Sequence, residues 1–117
     1  HHREELIDLI DVVSFKRMDR DFLWAKTWAK QTDRIQLILD ELMNLLRDVA
    51  IIKTDRKSEA IFNKDLTRRL ETLAQQKSLS AILAMFEAVQ STKLALKSNA
   101  NVQLSLENML LNFCEAT

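Results

Sequence analysis

No glycine and no proline occurs anywhere in the 117 residues. Average usage would place roughly eight Gly and six Pro in a chain of this length. Tight hairpins and strand-to-helix loops depend on those two residues for positive φ and for fixed turns. Their absence leaves helices joined by short polar links. Leu, Ala, Lys, Glu, Gln and Arg, all good helix formers, are abundant. The expected fold class is all-α, a compact bundle of about five to six helices at ordinary helix lengths.

Hydrophobic period and capping residues divide the chain. A first helix is expected over 3–14, with Leu6, Ile7, Leu9, Ile10, Val12 and Val13 on a broad buried face. After a link at 14–17, a second runs over 18–30 on the stripe Met18, Phe22, Ala25, Ala29. Trp24 and Trp28 sit one turn apart on an adjoining face, as core or as partner-facing anchors, since Trp is enriched in both settings. Thr32 is the expected N-cap of a third helix reaching about Lys53. This helix is apolar on two seams (Ile35, Ile38, Leu42, Leu45, Val49, Ile52, and Leu39, Met43, Leu46, Ala50), which places it at the centre of the fold.

The stretch 54–62 has no clear period, and its Lys53, Arg56, Lys57 cluster reads as exposed loop. Asn63 is the expected cap of a fourth helix carrying Leu66, Leu70, Leu73 and Ala74. Ser78 caps a fifth over 79–97, whose expected core stripe is Leu79, Ile82, Leu83, Phe86, Val89 and Leu96, while Ala81, Ala84, Ala88 and Ala95 line the far side, small enough for another helix to approach closely. Asn99 suits the left-handed position that closes that helix, and Asn101 caps the sixth. On the sixth, Val102, Leu106, Met109, Leu110 and Phe113 form one stripe. Leu104 and Leu111 lie a heptad apart, roughly half a turn from that stripe. They face either a partner or a second layer of the same fold. Leu94 on the fifth helix and Trp28 complete the candidate partner surface.

Much chemistry is excluded. Without Gly there is no P-loop and no dinucleotide fingerprint. No His follows position 2, so di-iron Glu-x-x-His pairs, zinc clusters and a His base for a nucleophile are all missing. No catalytic residue, metal site or cofactor is expected. Lys plus Arg and Asp plus Glu are 17 each, so no basic excess is available for phosphates, and direct nucleic-acid binding is not expected. The charges Lys16, Arg17, Arg20, Lys26 and Lys30 are interrupted by Asp19 and Asp21 and read as a solvated face. The longest apolar run, 81–86, is far short of the ~20 residues of a membrane span. The single Cys114 fits a cytoplasmic protein and reads as a small buried hydrophobe. His1 and His2 read as a tag remnant, leaving 3–117 as one domain.

Three stretches resemble the C-terminal collar domain of bacterial DNA polymerase III clamp-loader subunits. They are Leu45-Leu46-Arg47-Asp48-Val49-Ala50-Ile51-Ile52-Lys53, then Asn63-Lys64-Asp65, then Asn99-Ala100-Asn101 through Leu111. Their order and spacing match, and with the helix count they span nearly the whole chain. Val102 departs from the pattern, since the family often has Pro at the first helical position; Pro there only pre-organises the turn. The wording Leu-Arg-Asp-Val-Ala-Ile-Ile-Lys favours the delta-prime type over gamma/tau. The resemblance implies an oligomerisation domain, preceded in the parent by ATPase modules. It would pack against other subunits in a pentamer that loads the sliding clamp onto primed DNA. A stand-alone helical adaptor or regulatory domain, and the helical tail of another AAA+ ATPase, are the competing readings.

Overall fold

The computed structural model describes residues 2–55 and 61–117. Six α-helices account for most of them: α1 His2–Val12, α2 Met18–Ala29, α3 Ile35–Thr54, α4 Thr67–Gln76, α5 Leu79–Lys97 and α6 Val102–Ala116. Short 3-10 turns, Phe15–Arg17 and Lys64–Leu66, lead into α2 and α4. No strand occurs among the described residues. Of the basic cluster at the end of α3, Arg56 and Lys57 lie outside the described residues.

α3 is the central helix. At 20 residues it is about 30 Å long, and it packs against α1, α4 and α5. Both of its apolar seams are needed for that. Ile38, Leu39, Leu42, Leu45, Leu46 and Val49 are all fully buried. α5 lies between α3 and α6, and α6 in turn packs on α2. One hydrophobic cluster runs through all six helices, from Leu6 and Ile7 on α1 to Phe113 and Cys114 on α6.

The alanine side of α5 takes a neighbouring helix as expected, but part of the expected leucine stripe does not go inward. Ala81, Ile82, Met85, Ala88, Val89 and Thr92 are buried, whereas Leu83 is 48% exposed and Phe86 only half-buried. The cause is double packing. α6 approaches α5 closely on the side of Ala81 and Ala88, and small residues permit that approach, so the helix turns its alanines inward and Leu83 outward. By length and composition α5 would also be apolar enough to cross a membrane, and here that apolarity serves two neighbouring helices.

Two expected caps are corrected. Thr32 does not cap α3, because Arg34 occupies the N-cap position and makes no side-chain cap bond. The Arg34 N–H donates to the Gln31 carbonyl at 2.9 Å, and this closed turn delays the first helical residue to Ile35. Asn63 does not cap α4 either. Its amide donates to Asp48 Oδ2 at 2.8 Å and its Oδ1 accepts from Arg3 at 3.0 Å, so both ends of the side chain are spent on tertiary contacts. A 3-10 turn then starts the helix instead.

The α5–α6 link follows cap chemistry closely. Asn99 has φ 65°. The Ala100 N–H donates to Ala95 O and the Asn99 N–H to Leu96 O, each at 3.2 Å. Those two bonds are the Schellman pattern, completed by Asn where Gly is more usual. Asn101 Oδ1 then accepts from the Leu104 N–H at 2.8 Å and opens α6. Ser78 does the same for α5, accepting from Ala81 N–H at 3.0 Å.

Candidate partner interface

Exposed large apolar side chains occur on several elements, Phe62 at 70% and Leu23 at 62% among them. Leu104 is 64% exposed and Leu94 61%, among the most exposed large hydrophobics of the described residues. They flank the 98–101 link, Leu94 near the end of α5 and Leu104 near the start of α6, so both occupy the same end of the hairpin. Leu111, a heptad beyond Leu104 on α6, is half-buried. The heptad column therefore has one solvent-facing member and one partly packed.

Trp28 does not join this surface. It is 4% exposed, with its indole N–H donating to Glu5 Oε1 at 3.2 Å. The His2 ring sits edge-on at 5.2 Å and the Trp24 ring at 6.4 Å. Trp28 is the anchor that fastens α2 to α1, and it offers nothing to a partner.

Two surface grooves run along α5. Between α3 and α5 is an apolar one of about 310 Å³, lined in part by Ala50, Ile51, Leu79, Leu83 and Phe86. Between α5 and α6 is a more polar one of about 410 Å³, lined by small residues such as Ala84 and Ser91, by Asn112 and by the carboxylates of Glu87 and Glu115. Leu83 borders the first groove, although sequence period alone places it in the core. A helix apolar on nearly every side gives no periodic signal that separates its inner face from its outer one.

The polar interior is structural. Asp48 is fully buried on α3. Its carboxylate accepts from the Phe62 N–H at 2.9 Å, the Asn63 N–H at 2.7 Å and the Asn63 amide at 2.8 Å. Arg3 extends this network from α1, donating to Asn63 and to Asp65, the latter at 2.6 Å. Lys53 Nζ donates to the Ala74 carbonyl at 2.6 Å and so satisfies an orphan group at the end of α4. Burial pushes the Asp21 carboxyl up, against the opposing pull of the Ser14 backbone and Arg17. The Cys114 thiol is pushed up by burial first, then by the charges of Asp21 and Glu115. A thiol shifted in that direction is a poorer nucleophile, in keeping with its place in the core.

No group of His, Cys, Asp and Glu able to hold a metal occurs among the described residues. What the surface presents is apolar side chains at a helical hairpin, which is chemistry for binding protein. No curated protein and no solved structure gives a match to the chain. Residues 1–115 match the family described as DNA polymerase III, delta subunit, C terminal, and the chain belongs to that family of clamp-loader domains.

Proposed function

We propose that this chain is the collar domain of a delta-prime-type clamp-loader subunit. In that role residues 3–117 hold the parent in the pentameric complex that loads the sliding clamp onto primed DNA during replication in the cytoplasm. The family match over residues 1–115, to the C-terminal domain of the delta subunit, supports the clamp-loader part of this reading. The Leu45-to-Lys53 wording supports the delta-prime type, which is related to delta. The domain supplies protein–protein contact and no catalysis. Nucleotide handling falls to the ATPase modules of the parent, within the DNA polymerase III holoenzyme.

The exposed Leu94 and Leu104 are the side chains best placed to meet a neighbouring subunit. Burying each would contribute about 1.5–3 kcal/mol. The test is the double variant Leu94→Asp with Leu104→Asp, run on a sizing column with the other clamp-loader subunits. Because both positions are exposed, the variant keeps its helical circular dichroism and elutes apart from the complex. A folded double variant that still co-elutes with the other subunits overturns the assignment of this surface.

A further inference from the structure

The basic stretch along α2 changes character once Asp21 is placed. In sequence, Asp19 and Asp21 interrupt Lys16, Arg17, Arg20, Lys26 and Lys30. The fold withdraws Asp21 from that row. It is 3% exposed, close enough to Cys114 on α6 to act on that thiol, and burial pushes its own carboxyl towards the neutral form. Arg17, whose charge acts on Asp21, is half-buried with it. Lys16, Arg20, Lys26 and Lys30 stay exposed, and none of them joins an ion pair among the described residues. Arg20, Leu23, Lys26 and Lys30 share about a third of the helix circumference, opposite the buried Asp21, Ala25 and Trp28. Lys16 leads into this stripe from the 3-10 turn before α2, and Asp19 is the one carboxylate on it.

Neutrality of the chain as a whole hides this separation of charge. Many of the acids lie elsewhere. Glu4, Glu5 and Asp11 are exposed on α1, while Asp8, Asp40 and Asp65 are paired with Arg69, Lys93 and Arg3.

We propose that the outward face of α2 binds a single strand of nucleic acid, with its phosphates on Lys16, Arg20, Lys26 and Lys30 and one base stacked on Phe15. The cations extend over about 20 Å along the helix. Phe15 is 58% exposed and adjoins Lys16 at the head of the row. An exposed ring beside a row of cations is the combination by which single strands are held without regard to sequence. Lys, the commoner cation here, supplies a hydrated point charge suited to phosphate and carries no pattern for base edges. An acidic protein fits less well, because Lys is depleted where protein surfaces pack and Leu23 is the one large apolar side chain among the cations of the helix. A membrane needs a broad apolar face, and that of α2 is buried on α6. The contact is separate from the subunit contacts proposed above and requires no other subunit.

Fluorescence anisotropy of a labelled oligothymidine, titrated with the chain alone at low salt, tests the proposal. Binding should appear and should weaken as salt is added, with a log–log slope of about −3, the value for four phosphates neutralised on a single strand. Lys26→Ala with Lys30→Ala should roughly halve that slope and leave the helical content unchanged. Phe15→Ala should weaken binding of the oligothymidine by about fivefold or more and leave binding of a duplex of the same length unaffected. Lys64→Ala with Arg68→Ala, exposed cations at the head of α4, should change nothing, which separates a defined face from general attraction to polyanions. No binding at low salt overturns the proposal. So does binding that is indifferent to the Lys26 and Lys30 pair or to Phe15→Ala, or that is lost equally with the Lys64 and Arg68 pair. Binding only to polyglutamate or only to anionic vesicles, each offered in parallel, overturns it in favour of an acidic protein or a membrane.

Discussion

Asp48 and Asp21 are both buried carboxylates, and they do opposite things to the fold. Asp48 is met by two backbone N–H groups and the Asn63 amide, so its charge is solvated by the protein itself. Asp48→Ala would leave those donors unpaired, at a cost on the order of 3 kcal/mol; denaturant melts should show it, and a loss under 1 kcal/mol would mean that water replaces the carboxylate. Asp21 is 3% exposed, and its Oδ2 finds no hydrogen-bond partner among the described residues. Burial raises its folded-state pKa above the unfolded value. The native state therefore binds the proton more tightly, and stability falls as pH rises from the ordinary carboxylate range through the raised value. Asp21→Asn should remove that fall, so the variant gains stability over the parent at pH 7 and gains little at pH 3. Thermal melts at the two pH values measure the difference, and an equal effect at both would show that charge is not the cause. The corrected caps belong to the same scale. Thr32 and Asn63 have good local cap propensity, but a competing turn claimed the first and contacts 15 and 60 residues away in sequence claimed the second.

At the level of elements, the helices were legible where capping and period agreed. α5 begins after Ser78 and ends at Lys97 as its cap and its left-handed Asn99 imply. The core stripe of α6, through Leu106, Met109, Leu110 and Phe113, is buried as its spacing implies. Rotation about the axis of α5 was legible only in part: the alanine side was expected to take a close helix and does, while Leu83 and Phe86 were expected inside and are not fully buried. Leucines and alanines lie on nearly all its sides, and only the positions of α3 and α6 decide which go inward. The candidate interface divides the same way. Leu94 and Leu104 were identifiable as apolar residues off the main stripes, and they are exposed. Leu111 shares the heptad column yet is half-buried, and Trp28, amphipathic enough for either side, is spent on joining α2 to α1. Single-helix geometry assigns residues to faces. Which face is covered depends on neighbours distant in sequence.

Over the whole molecule, the all-helical class followed from the missing Gly and Pro, and the arrangement of helices did not. α3 is central because elements on both sides of it in sequence return to it: α1 before, α4 and α5 after. That arrangement gives synthesis a definite order of events. While the chain is being made at about 5–20 residues per second, α3 is complete well before α5 arrives to cover it. For a period of seconds its apolar seam through Leu39, Leu46 and Ala50 faces water or a chaperone. Released fragments ending at residue 77 should leave α3 open to protease, and the chain through α6 should protect it. Protection already complete at the earlier point would mean that α1 and α4 shield the seam alone. The Schellman turn at Asn99 then matters as a matter of timing. It lets α5 and α6 close as a local hairpin, so the cover for α3 arrives as a preformed pair and the interval of exposure ends in one step.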